Sequence, residues 1–150
     1  MVDSLEIMEN RLKILFLCTG NSCRSQMAEG WARHLKNNSI QAFSAGLEAH
    51  GLNLKAVQVM REEGVDITKQ RSQRIEEVET IPFDFVITVC SHADENCPVF
   101  SCSTRVIHRG FDDPPKLAQI AKNEQEALSY YRRVRDEIKA YIETLPEGLN

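Results

Sequence analysis

The chain has 150 residues, 42% of them hydrophobic, and a formal net charge of −4. That length supports a single domain over residues 1–150 with one self-sufficient core, and the acidic balance argues against nucleic acid as a partner. No apolar run approaches the ~18 residues that span a bilayer, and the N-terminal MVDSLEIMEN is too acidic for a signal peptide, so a cytoplasmic monomer without membrane association is expected.

In chain order, Met1–Arg11 reads as a loose leader. Ile14–Leu17 is an apolar run typical of a buried strand, and it stops at Cys18. Thr19, Gly20, Asn21, Ser22 and Cys23 follow, closing on Arg24. Ser25–Lys36 is predicted helical, with Met27, Trp31 and Leu35 on one apolar stripe, so Trp31 is assigned to the core. Ile40–Ser44 is a short strand ending in Ser44-Ala45-Gly46, whose small side chains let neighbouring loops approach. Leu52–Glu63 is a second helix ended by Gly64 as C′ residue, and a helical turn is expected near Ile75–Val78. Phe83–Val89 is a second buried strand delivering Cys90. Thr104–His108 is a further strand delivering Phe111-Asp112-Asp113-Pro114, and Glu124–Thr144 is a long closing helix. Strands alternating with helices imply a three-layer α/β fold: about four parallel, twisted strands with helices on both faces.

The stretch from Cys18 to Ser25 carries the chemistry. A strand, a tight loop and a helix N-terminus aim several backbone N–H groups at one point, which suits an anion. Gly20 allows positive φ and Asn21 tolerates the left-handed region, as an amide nest requires. Loop amides, the helix behind them and Arg24 all favour the Cys18 thiolate. The planar fork of Arg24 grips two oxygens of one anion, and Ser22 and Ser25 are placed to offer hydroxyls to the Cys18 sulfur. The oxyanion-binding set is therefore Thr19, Gly20, Asn21, Ser22, Cys23, Arg24 and Ser25.

Five cysteines without an export signal point to catalytic or redox thiols rather than a disulfide scaffold. Cys90 and Cys97 flank SHADEN. If that segment is helical, seven residues rise ~10.5 Å, beyond the ~7 Å that a disulfide tolerates between Cα atoms. The two thiols can bond only if the segment unwinds. Its polar composition and the following Pro98 make it a marginal helix, and so a candidate redox-switched element. Cys90, His92, Cys97 and Cys102 could also be read as a zinc site, but C-x-H-x4-C-x4-C lacks the paired short spacing of structural sites.

The string Cys18-TGNSC-Arg24-Ser25 resembles the active-site loop of the low-molecular-weight protein tyrosine phosphatase fold, and the longer CTGNSCRSQMAEG resembles its thioredoxin-coupled arsenate reductase branch. The likeness runs from Lys13 to Tyr141. It implies a three-thiol relay. Cys18 attacks arsenate while Asp113, which directly precedes Pro114 as the fold's general acid does, protonates the leaving oxygen. Cys90 resolves the adduct as a Cys18–Cys90 disulfide, Cys97 moves it to Cys90–Cys97, and thioredoxin reduces it. Phosphate and sulfate compete with arsenate for the pocket, and no cofactor is needed. The alternative within the same fold is a phosphatase working through a phosphocysteine at Cys18, which leaves Cys90 and Cys97 unexplained. Some relatives hold a monovalent cation with oxygens matching Asn21, Glu29 and Ser44. A further aspartate of that site is Gln73 here, which argues against a metal. Cys23 is assigned to structure, as are His34, His50 and His108 (or to the surface), and Cys102 has no counterpart in the pattern.

Overall fold

The computed structural model describes residues 10–149, so most of the expected leader lies outside the described residues. The first strand, β1 (Leu12–Cys18), pairs in parallel with β2 (Ile40–Gly46) on one side and with β3 (Phe85–Thr88) on the other. The last strand, β4 (Arg105–His108), joins the edge beside β3, giving the order β2-β1-β3-β4. Ile14–Leu17 of the interior β1 is entirely buried, as expected where helices cover a parallel sheet. β4 is mostly exposed, which is the mark of an edge strand.

The helices α1 (Arg24–Lys36), α2 (Leu54–Glu62), α3 (Ser91–Glu95), α4 (Pro114–Ala118) and α5 (Glu124–Glu143) fill the connections. Trp31 is 2% exposed and its indole N–H donates to the Arg135 carbonyl at 3.2 Å, tying α1 to α5. The expected boundaries differ from the observed ones in three ways. β2 runs on to Gly46 because Cys18 pairs with Gly46 in register. β3 begins only at Phe85, since Asp84 uses its carboxylate to accept the Lys13 N–H at 2.8 Å. α2 starts at Leu54 because Asn53 accepts the N–H groups of Lys55 and Ala56 as an N-cap. Gly64 takes the left-handed conformation expected of a C′ residue, at φ 76°. The helix α4 was not foreseen. Pro114 and Pro115 occupy its first turn, where a missing N–H costs nothing.

The strand order positions the chemistry. From β1 the chain crosses outward to β2, and from β2 it returns past β1 to β3. The topological switch point therefore lies between the carboxyl ends of β1 and β3, where open α/β sheets bind ligands. Cys18 ends one of those strands and Cys90 follows the other. The Val89 N–H, donating to the Leu17 carbonyl at 2.9 Å, holds the two ends together.

Candidate active site

The loop after β1 wraps a cleft of about 300 Å³ lined by Cys18, Thr19, Gly20, Ser22, Cys23, Arg24, His50, Asp113 and Pro115. Asn21 adopts φ 49°, the left-handed geometry anticipated for it. It is fully buried, and its contacts lock that strain in place. Its amide N–H donates to the Ser25 hydroxyl at 2.9 Å, its side-chain oxygen accepts the Gln73 N–H at 2.8 Å, and its carbonyl accepts from Gln26 at 3.0 Å. Asn21 and Ser25 thus sit beneath the loop and shape it, while their neighbours line the cleft. Gly20 does not take a positive φ, and a Cβ there would meet the His50 ring, which would have to turn aside. Gly46 admits no Cβ either, because the carbonyls of Glu48 and Thr19 and the Asn21 N–H crowd it. The close approach expected of Ser44-Ala45-Gly46 is real.

No side chain caps α1. Its first N–H groups are left for an anion in the cleft. The Arg24 guanidinium stands at the rim, donating to the Phe111 carbonyl at 2.9 Å and lying 3.7 Å from the Asp113 carboxylate. Asp113 is the N-cap position of α4 yet makes no cap hydrogen bond with its side chain. Its carboxylate is therefore available to the cleft. Asp112 instead points away, pairing with Arg133 at 3.1 Å.

The Cys90 sulfur lies 3.4 Å from the Thr19 hydroxyl and accepts the Ala93 N–H at 3.4 Å, so it caps α3. The Cys18 and Cys90 thiols influence one another, and their titrations pull apart. Donation from Cys18, followed by the Thr19 and Ala93 bonds, pushes Cys90 down to about 5 against the opposing effect of burial. Cys18 is held well above the ordinary thiol range, first by its bond to Cys90 and then by burial, although Arg24 acts to lower it. Burial and its neighbour thus disfavour the Cys18 thiolate, while the cap from Ala93 and the Thr19 hydroxyl favour that of Cys90. Neither Ser22 nor Ser25 bonds the Cys18 sulfur among the described residues, and the Ser25 hydroxyl already accepts from Asn21. Cys23 is buried and its thiol is raised by desolvation, in keeping with a structural role. Cys97, just past α3, is half-buried, and burial raises it as well.

A family model for low molecular weight phosphotyrosine protein phosphatase matches residues 13–150. The chain belongs to that family. Within it, this phosphatase-family chain is 45% identical over 138 residues to an arsenate reductase of Halalkalibacterium halodurans, covering 92% of this chain and 97% of the relative. An arsenate reductase of Bacillus subtilis is 46% identical over 141 residues, covering 91% and 99%. Among solved structures, an arsenate reductase in reduced state superposes with a TM-score of 0.69 at 31% identity, covering 93% of this chain and 99% of that one. A low molecular weight protein tyrosine phosphatase from T. tengcongensis gives 0.70 at 25% identity, covering 91% and 99%.

The remaining candidates sort cleanly. Among the described residues no group of three His, Cys, Asp or Glu side chains converges as a metal site, so Cys90, His92, Cys97 and Cys102 do not form the zinc cluster that their spacing left open. The oxygens of Asn21, Glu29 and Ser44 are committed internally. The Ser44 hydroxyl donates to Glu29 at 2.5 Å, the Gln73 side-chain amide donates to the Ser44 carbonyl at 3.0 Å, and Arg33 pairs with Glu29 at 2.8 Å. His50 was missed as a cleft residue. Its backbone N–H donates to the Gly20 carbonyl at 2.8 Å and its ring lies 2.6 Å from Glu48. Among the described residues no helix is long and apolar enough to cross a membrane.

Proposed function

We propose that this chain reduces arsenate to arsenite through a three-thiol relay that thioredoxin regenerates. The observation that carries the reading is the pairing of the β1 and β3 ends that carry Cys18 and Cys90 at the sheet's switch point, where Cys90 meets the Thr19 hydroxyl next to Cys18 at 3.4 Å, with a five-residue helix between Cys90 and Cys97. Arsenate enters the cleft against the uncapped N–H groups of α1, and the Arg24 fork turns onto its oxygens. The negative charge passes from Cys90 to Cys18 as the Cys18 proton moves the other way. The Cys18 sulfur then attacks arsenic, and Asp113 protonates the departing oxygen, which leaves as water. Cys90, deprotonated again, attacks the Cys18 sulfur. The sulfur–arsenic bond breaks, its electron pair stays on arsenic as arsenite, and a Cys18–Cys90 disulfide remains. The two electrons that arsenic gains are those lost by two thiols.

Cys97 next attacks the Cys90 sulfur and expels the Cys18 thiolate. That step requires α3 to unwind, since Cys90 and Cys97 stand at opposite ends of it. Similarity to proteins named arsenate reductases favours this chemistry over a plain phosphatase. The cleft also carries the nucleophile, guanidinium and carboxylate of a phosphomonoesterase, so slow hydrolysis of aryl phosphates is an expected side activity. The test is arsenate-dependent consumption of NADPH with thioredoxin and its reductase, repeated with glutathione and glutaredoxin. Turnover with the first pair supports the reading, while turnover only with the second overturns the choice of partner. No arsenite from either pair leaves the phosphatase reading standing.

A further inference from the structure

His50 lines the cleft and takes no part in the steps above. Its segment is laced to the anion loop through the backbone. The Leu47 N–H donates to the Cys18 carbonyl at 3.2 Å, the Glu48 N–H to that of Thr19 at 2.8 Å, and the His50 N–H to that of Gly20 at 2.8 Å. These bonds set the His50 ring beside Gly20, with Nδ1 nearest to the position a Cβ would take. Its Nε2 lies 2.6 Å from a Glu48 carboxylate oxygen. A carboxylate only accepts, so Nε2 keeps a proton, and Nδ1 is the nitrogen that gains or loses one. The other titratable groups along the cleft are Cys18, Cys23 and Arg24 from the loop and Asp113 from the start of α4. Ser72, whose hydroxyl accepts the Gly51 N–H at 3.1 Å, adds no charge. Among these described residues Arg24 is the one fixed cation, and the Asp113 carboxylate 3.7 Å away already offsets it.

Resting on the reading of this cleft as an arsenate site, we infer that His50 binds the substrate and takes up a proton at Nδ1 as the oxyanion enters, with Glu48 steadying the imidazolium. A doubly charged anion beside Asp113 leaves the lining short of positive charge, and a histidine is the side chain that can add it near neutral pH. The balance of the proposed reaction asks for the same proton. Dianionic arsenate, two thiols and two further protons give neutral arsenite, a disulfide and water. Arsenic gains the two electrons that the thiols lose, and one of its oxygens departs. Asp113 supplies the proton that completes the departing water. The two thiol protons and the one that His50 brought in with the anion end on the three oxygens left on arsenic. Solvent reprotonates Asp113 after each turnover, and His50 as the next anion binds.

The experiment adds inorganic phosphate, an oxyanion that cannot be reduced here, to the reduced full-length protein. At fixed pH near neutrality, phosphate should move the nitrogen-15 NMR signals of the His50 ring toward those of the imidazolium. Titration calorimetry in buffers of different ionisation enthalpy should record more proton uptake in the wild-type protein than in His50→Gln. The ring is half exposed and the backbone N–H makes the structural bond, so this change spares the fold. His50→Gln should bind phosphate several-fold more weakly at about pH 6 and match the wild type by about pH 8.5, beyond the range in which histidines ordinarily hold a second proton. Glu48→Gln, which keeps an acceptor without the charge, should fall between the two. Ring signals that ignore phosphate, or equal affinities across that range, overturn the inference and leave the relay standing. Arsenite release at the same single-turnover rate and pH profile in His50→Gln removes the proton transfer. No arsenite from the wild-type protein removes the relay instead, and the phosphate data alone then decide the binding role.

Discussion

The Cys90 sulfur accepts the backbone N–H of Ala93 at 3.4 Å, so the thiol that the proposed relay oxidises is also the N-cap of the helix that the relay would unravel. In that relay, chemistry at the sulfur would remove the cap and loosen the helix in one event. Cys90→Ser keeps an oxygen acceptor in the cap position but cannot form a disulfide. It should lower arsenate turnover by on the order of 100-fold or more while slow aryl phosphate hydrolysis survives. Cys18→Ser should abolish both. Equal arsenate turnover in Cys90→Ser would eliminate the relay.

The same sulfur gives a pH signature. Cys90 is pushed down to about 5 from an ordinary 9.0, mainly by the Cys18 bond. A depressed thiol stabilises the fold above its unfolded value, and that contribution is lost as pH falls through about 5. The ultraviolet absorbance of the reduced protein should therefore show a thiolate step near pH 5, absent in Cys90→Ser. The melting temperature of the variant should also respond less to acidification across that window. A wild-type protein with no thiolate below pH 7 would contradict the capped geometry.

Asp113 and Asp112 are separable by mutation. Asp113→Asn keeps the shape beside Arg24 but cannot deliver a proton, so kcat for the first half-reaction should fall on the order of 100-fold. Asp112→Asn loses only an exposed pair with Arg133, worth roughly 0–1 kcal/mol, and should leave kcat unchanged. Rapid-quench measurement of arsenite release under single turnover distinguishes them. Equal losses in the two variants would remove Asp113 as the acid.

A second restraint holds α3 closed. The buried Thr88 hydroxyl donates to the Asp94 carboxylate at 3.3 Å and meets the His108 ring nitrogen at 2.8 Å, joining the helix to the ends of β3 and β4. Thr88→Val keeps the volume and deletes both bonds, at a cost of about 1 kcal/mol. Amides of residues 93–96 should then exchange faster with deuterium, and the Cys90–Cys97 disulfide should form sooner after arsenate. Unaltered exchange in that segment would show that Thr88 does not restrain it.

The pocket beneath the loop tests the role of Gln73. Its side-chain amide already donates to the Ser44 carbonyl, and its backbone N–H to Asn21. Exchanging sodium for potassium chloride should therefore leave the melting temperature unchanged. Gln73→Asp replaces that donor with oxygens, and should make the melting temperature potassium-dependent. A potassium response in the wild-type protein would show that the amide does not block the site.

Local patterns made much of this legible. Ile14–Leu17 announces an interior strand because it is apolar on both faces, and Gly64 announces its helix end through its backbone freedom. Cys18, Arg24 and Asp113 meet in one cleft, as the loop spacing and the proline after Asp113 suggested. What escaped the sequence depends on contacts between distant segments. The Thr19–Cys90 contact spans 71 positions, so nothing near either residue reveals that the two segments meet. His50 enters the cleft because Gly20 leaves room for its ring, a vacancy visible only once the two loops meet. The short helix α4 was hidden because Asp113-Pro114-Pro115 looks like a turn until the chain beyond it closes on Asp113.

Because β1 and β3 touch in space while α1, β2 and α2 intervene along the chain, the first thiol is synthesised long before its partner. A growing polypeptide that has emerged only as far as α2 carries the complete anion loop but lacks Cys90, the sulfur that the proposed relay needs to finish a reaction begun there. Competence for that relay would wait for the docking of a four-residue strand and of the Asp113 segment that follows β4, so the site would be armed by the closing steps of folding.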